Sequence, residues 1–126
     1  MNLRRWRLHK TTAHRSTQVA GVLKNNKDKY RGMALADPSQ PAKAAAEALR
    51  AACATAPNLW TGVRFNPYLW PESSRSGAWL ADDVCTSLAD VCAELKLPIG
   101  VMAFGGLPPL VPSIEALCAR GDVDIV

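Results

Sequence analysis

Several familiar signals are missing from this sequence of 126 residues. No apolar run approaches the roughly 20 residues that a membrane-spanning helix needs, so we do not expect an integral membrane protein. The sequence contains no cysteine spacing typical of zinc sites, no glycine-rich phosphate-binding loop and no arrangement of a nucleophile with a base. It therefore carries no motif that defines a catalytic centre by itself.

Acidic residues are absent from the first 27 positions, which contain seven basic ones. The net charge of +4 therefore belongs to the amino-terminal end. We interpret residues 1–12 as a basic, disordered segment and residues 13–126 as the folded domain. An organellar targeting peptide and a phosphate-contacting arm are the alternatives for the basic segment. A single basic cluster around Trp6 is a weak signal, so nucleic acid is not an expected partner.

The four cysteines show no Cys-x-x-Cys spacing, and all of them lie in segments with helical apolar periodicity. Cys85 and Cys92 are seven residues apart, on one face of a predicted helix. This pattern predicts buried, reduced thiols. It favours a reducing compartment, with the cytoplasm first and an organelle such as a plastid or mitochondrion as the alternative.

Apolar periodicity predicts helices at 12–26, 41–56, 81–96 and 113–120. Strands are predicted at 30–36, at the run that ends before Pro67, and at 97–104, and residues 122–126 resemble the start of another. Strands that alternate with helices through short links imply right-handed crossovers and a parallel sheet. The strand ends at Asp37, Asn66 and Gly105 should then share one edge, where α/β proteins bind ligands.

The strand that ends at Asn66 carries the first candidate site residue. Arg64 has a forked guanidinium that suits a substrate carboxylate, and the alternative is a structural salt bridge. Asn66 either orients a substrate or braces the turn at Pro67. Asp37, which precedes a proline, is interpreted as a turn former.

Aromatic residues supply the other candidates for substrate binding. Tyr68 and Trp70 lie in a loop bounded by prolines, where they either wall a pocket or pack against the core. Phe104 and the glycines that follow it are expected to form the floor and rim of the same pocket, at the carboxyl ends of the strands.

Three stretches also resemble a known family: GVRFNPYLWP (62–71), PIGVMAFGGL (98–107) and IEALC (114–118). They are similar to the amidohydrolase-related, metal-dependent hydrolases, in the branch that includes proteins like 2-pyrone-4,6-dicarboxylate lactonases. The resemblance covers roughly residues 14–122. It implies part of a (β/α)8 TIM barrel, and hydrolysis or decarboxylation of a small carboxylated or cyclic substrate with the help of zinc or manganese.

The metal ligands of that family do not match this sequence, whose only histidines are His9 and His14. A complete barrel takes about 250 residues. The resemblance therefore implies a fragment of roughly half a barrel, inactive alone, with no catalytic residue and no metal ligand of its own. Open strand edges would favour self-association. The alternative function is a non-catalytic binding or assembly module.

Overall fold

The computed structural model describes residues 12–70 and 82–126. Within these ranges four α-helices alternate with three β-strands, as the sequence predicts. The elements are α1 (Thr12–Asn25), β1 (Gly32–Leu35), α2 (Ala42–Ala54), β2 (Trp60–Phe65), α3 (Asp83–Leu95), β3 (Ile99–Val101) and α4 (Val111–Cys118). Short 3₁₀ helices at Pro67–Leu69 and Pro108–Leu110 follow β2 and precede α4. The predicted basic segment lies outside the described residues, apart from Thr12.

Local chemistry accounts for where the central helices begin and end. α2 begins directly after Pro41, and its alanine-rich sequence has the highest intrinsic helix propensity. α3 begins after Asp82, whose Oδ1 accepts a hydrogen bond of 2.7 Å from the backbone N–H of Cys85. Lys96 adopts the left-handed conformation at the end of α3 and turns the chain toward β3.

The three strands form one parallel sheet in the order β1-β2-β3. β2 pairs with β3 in a register that places Val63 opposite Ile99 and Arg64 opposite Gly100. A further parallel bridge joins Ile99 to Ile125, at the strand start that the sequence predicts near the last residues. The sheet is therefore open, and strand order follows chain order without a reversal.

Within residues 12–70 and 82–126, helices cover one face of the sheet and leave the other uncovered. A strand order without reversal, joined by right-handed crossovers, puts successive helices on the same face. Val63, Phe65 and Ile99 are fully buried in the shared core, whereas Arg64 is exposed and Met33 is half-buried on the opposite face. The chain is thus an α/β structure with an open, three-stranded parallel sheet.

An irregularity at the start of β2 changes the direction of one large side chain. The pairing register shifts between Gly32 and Met33, which pair with Trp60 and Gly62. The extra residue in β2 lets Trp60 turn toward α2, where its indole N–H donates to the Cys53 carbonyl at 3.1 Å.

The cysteine prediction is confirmed for three residues and wrong for the fourth. Cys53, Cys85 and Cys92 are buried free thiols, but Cys118 is exposed. Cys118 is the last residue of α4, and its neighbour Leu117 is the one that enters the core. No helix within 12–70 or 82–126 is long and apolar enough to cross a bilayer.

Candidate functional site

The carboxyl ends of the three strands meet at one edge of the sheet, as predicted from their parallel order. Backbone hydrogen bonds continue the ladder just past the strand ends, from Ala36 N to Arg64 O at 3.1 Å and from Met102 N to Phe65 O at 3.0 Å. Asp37 and Asn66 therefore leave the sheet side by side. Asp37 Oδ1 accepts from Ser39 N at 2.9 Å, which confirms its predicted turn role.

Arg64 lies exposed on the uncovered face, next to this edge. Its Nη2 is 3.8 Å from the sulfur of Met33, a weak contact. Among the described residues no carboxylate pairs with Arg64. Because Arg64 is exposed, its guanidinium needs no buried counter-charge.

Met33 forms an apolar floor beside Arg64. A side chain at Gly100 would collide with it, since an added Cβ would lie 2.8 Å from the Met33 methyl carbon. An added Cβ at Gly62 would lie 2.9 Å from the Pro98 carbonyl oxygen and 3.0 Å from the same methyl carbon. These glycines leave room for Met33 to lie across β2 and β3. No sequence pattern singles out Met33, although the parallel pairing of β1 with β2 places it on the same face as Arg64.

Asn66 braces the turn that follows β2. Its Oδ1 accepts a hydrogen bond of 3.0 Å from the backbone N–H of Tyr68, and its carbonyl accepts from Leu69 N at 3.0 Å. The side chain thus caps the 3₁₀ helix Pro67–Leu69. This is the turn role that the sequence left open beside substrate orientation.

Tyr68 joins the segment after β2 to the turn after β3. Its ring stacks on Phe104, with ring centroids 5.8 Å apart and an angle of 29° between the planes. The backbone N–H of Gly105 donates a hydrogen bond to the Tyr68 hydroxyl. Phe104 is 78% exposed, so it lies at the rim of the edge and not at a floor.

Trp70 is buried, with 1% of its surface exposed, and packs against Phe65 at a centroid distance of 5.7 Å. The structure therefore gives it the packing role that the sequence allowed as an alternative to a pocket wall. Of the predicted substrate-binding residues, Arg64, Tyr68 and Phe104 are exposed, Asn66 is partly buried and Trp70 is in the core.

The donor set of the described residues does not fit a metal ion. Within the part of the chain that the structure describes, no group of three or more His, Cys, Asp or Glu side chains is placed to hold one. The buried thiols are poor ligands because burial raises the pKa of Cys92 to about 12 and raises the pKa of Cys85 as well. At the carboxyl edge the described residues present an exposed cation, Arg64, and an exposed aromatic pair, Tyr68 and Phe104.

Comparisons of the chain with protein-family models, with curated proteins and with solved structures find no match. The fold and the edge geometry define a class only: an α/β chain with a candidate anion site at the carboxyl ends of parallel strands.

Proposed function

We propose that this chain supplies a carboxylate-binding wall of an amidohydrolase-related hydrolase with a (β/α)8 barrel. Arg64 binds the anionic group of a small carboxylated or cyclic substrate at the carboxyl edge of the sheet. The observation that supports this most is the exposed Arg64 guanidinium on the uncovered face, with no carboxylate partner among the described residues. The strand order also supports the barrel. In a (β/α)8 barrel the parallel strands follow one another in chain order and the helices all lie on the outer face of the sheet.

The surroundings of Arg64 favour recognition of a planar oxyanion. The guanidinium has five N–H donors in a fixed fork, which match both oxygens of a carboxylate. Among the described residues its side-chain contact is the sulfur of Met33, so a ligand does not have to displace an ion pair formed with any of them. The neighbouring Gly100 adds no side chain that would block approach along β3.

No hydrolytic step is assigned to this chain. In the proposed family a divalent metal supplies the nucleophilic water and polarises the carbonyl. The described residues do not fit such an ion, so their contribution is limited to holding and orienting the substrate.

The proposal is tested by titrating the purified chain with phthalate, a cyclic dicarboxylate, and with its uncharged dimethyl ester. Binding is measured by calorimetry in the wild type, in Arg64→Gln and in Arg31→Gln. Arg31 is a matched control, because it is also exposed and, within the described residues, donates to the backbone carbonyls of Lys27 and Tyr30.

We expect phthalate to bind and the ester not to bind. Loss of a charge-assisted pair should weaken phthalate binding about 10- to 100-fold in Arg64→Gln and leave Arg31→Gln near wild type. Equal losses in the two variants would mean non-specific attraction to positive charge. Failure of the wild type to bind at millimolar concentration would contradict the proposal.

The second candidate function is an assembly module without catalysis, in which a second copy of the chain pairs with the open sheet. It is favoured by the half-buried Met33 and Leu35 on the uncovered face and by β1, which pairs on one side only within the described residues. Light scattering across a hundredfold range of concentration tests it. A mass of 13.6 kDa throughout would exclude this candidate.

For the compartment we propose the cytoplasm. The free thiols of Cys53, Cys85 and Cys92 support a reducing environment.

A further inference from the structure

Two consecutive residues of the turn after β3 contact one side chain from the 3₁₀ helix that follows β2. Phe104 is 78% exposed, yet one face of its ring is stacked on Tyr68. The next residue, Gly105, donates its backbone N–H to the Tyr68 hydroxyl. Tyr68 thus contacts the turn at two points, with its ring at Phe104 and with its hydroxyl at Gly105.

Tyr68 itself is presented by a well-anchored segment. Asn66 caps the 3₁₀ helix that carries it, at 3.0 Å from the Tyr68 backbone nitrogen, and Pro67 at its start is fully buried. Trp70, at its end, is packed into the core against Phe65. The turn after β3 has much less support, since its internal link is one hydrogen bond of 3.2 Å from Gly106 N to Ala103 O.

The glycine at 105 is explained by space and not by backbone conformation. A Cβ built on Gly105 would lie 2.9 Å from the Tyr68 hydroxyl oxygen, closer than side-chain carbons normally approach. Gly106, in contrast, has a φ of +95° and needs glycine for its conformation. Gly105 is not among the glycines with positive φ, so alanine there meets the hydroxyl as its main obstacle.

We infer that Tyr68 is a positioning residue that fixes residues 103–107 at the rim of the Arg64 site. Ligand affinity at Arg64 then depends on Tyr68 through the placement of this turn. The part of the inference that concerns ligand affinity rests on the proposed function, whereas the part that concerns the turn does not.

The turn is tested first, by amide hydrogen exchange of the ¹⁵N-labelled full chain. Tyr68→Phe keeps the ring stack and removes the hydroxyl that accepts from Gly105. We expect the Gly105 amide to exchange about five-fold faster, the loss of one exposed hydrogen bond. The thermal midpoint should stay unchanged, because Tyr68 is exposed. Unchanged exchange at Gly105 would overturn the inference.

A double-mutant cycle tests the role of the hydroxyl at the site. Gly105→Ala should weaken phthalate binding about five-fold in the wild type, since its Cβ displaces the Tyr68 hydroxyl. In the Tyr68→Phe background the same change should have no further effect, because the colliding oxygen is gone. Additive losses would overturn the inference. If the wild type binds no phthalate and Tyr68→Phe still speeds exchange at Gly105, the proposed function is overturned and the hold of Tyr68 on the turn is supported.

Discussion

Trp70 packs its indole against the ring of Phe65, and both side chains lie in the core with 1% and 0% exposure. The contact anchors the end of the segment that carries Asn66 and Tyr68. Trp70→Ala should therefore lower the free energy of unfolding by about 3–5 kcal/mol, the usual cost of removing a large buried aromatic side chain. Urea denaturation followed by circular dichroism measures this change.

Tyr30→Ala serves as the control for Trp70→Ala, since Tyr30 is 54% exposed and should cost no more than about 0.5 kcal/mol. If Trp70→Ala has near-normal stability but no longer binds phthalate, the packing role is contradicted and Trp70 is instead part of the pocket wall.

Asp82 and Asp83 offer a matched pair for the start of α3. Asp82 Oδ1 accepts from Cys85 N at 2.7 Å, whereas Asp83 lies exposed in the first turn. Asp82→Ala should cost about 1 kcal/mol through the lost cap. Asp83→Ala should cost only about 0.3 kcal/mol, through the weaker interaction with the helix dipole. Urea denaturation of both variants distinguishes them, and equal losses would show that the cap is not the stabilising feature.

The cysteines should differ in reactivity with the thiol reagent 5,5′-dithiobis(2-nitrobenzoic acid). Cys118 is exposed, while burial raises the pKa of Cys53, Cys85 and Cys92 and keeps them as shielded thiols. At pH 8 we expect one thiol per native chain to react within minutes and all four to react in guanidinium chloride. Cys118→Ser should abolish the fast phase. Two or more fast thiols in the native chain would contradict the buried core.

The alternation of helices and strands was predictable, because the spacing of apolar residues and the positions of prolines determine the secondary structure of each segment. The buried strand with Val63 and Phe65 ends before Pro67, and alanine-rich α2 ends before Pro57, as the positions of these prolines predict. Lengths were less predictable: β3 ends at Val101, although the apolar run continues to Phe104. Hydrophobicity does not distinguish a ladder residue from an exposed turn residue such as Phe104, since pairing partners are set by the neighbouring strand.

The candidate site was predictable only in part, for a related reason. Arg64 and Asn66 could be placed at a strand end from sequence alone, because a parallel sheet fixes where such ends meet. The Met33 floor depends on the pairing of Met33 with Gly62, and the link from Tyr68 to Gly105 joins residues 37 positions apart in the chain. Trp60 points toward α2 only because of the irregular pairing at Gly32, which no local pattern signals.

Arg120 ties α3 to the segment after α4 and should make stability depend on acidic pH. Its Nη2 lies 2.6 Å from Asp90 Oδ1, and its Nε lies 3.0 Å from Asp122 Oδ1. The hydrogen bonds from Arg120 lower the pKa of the Asp122 carboxyl below its ordinary value. Because the folded pKa is the lower one, the ion pair contributes fully above about pH 4, the unfolded value. The contribution is lost as the pH falls through the folded pKa.

Arg120→Gln should accordingly lower the thermal midpoint by roughly 3 °C at pH 7, and the difference from wild type should shrink toward zero near pH 2. Arg50→Gln is the control, since Arg50 pairs with Glu94 at 2.7 Å while both side chains are about half exposed, at 48% and 54%. We expect a smaller change from it, because solvent screens that pair more strongly than the partly buried Arg120. Calorimetric melts at several pH values measure both differences. If the difference in thermal midpoint between wild type and Arg120→Gln stays constant from pH 7 to pH 2, the carboxylate partners do not account for it. Packing of the apolar part of the Arg120 side chain would then be the stabilising contribution.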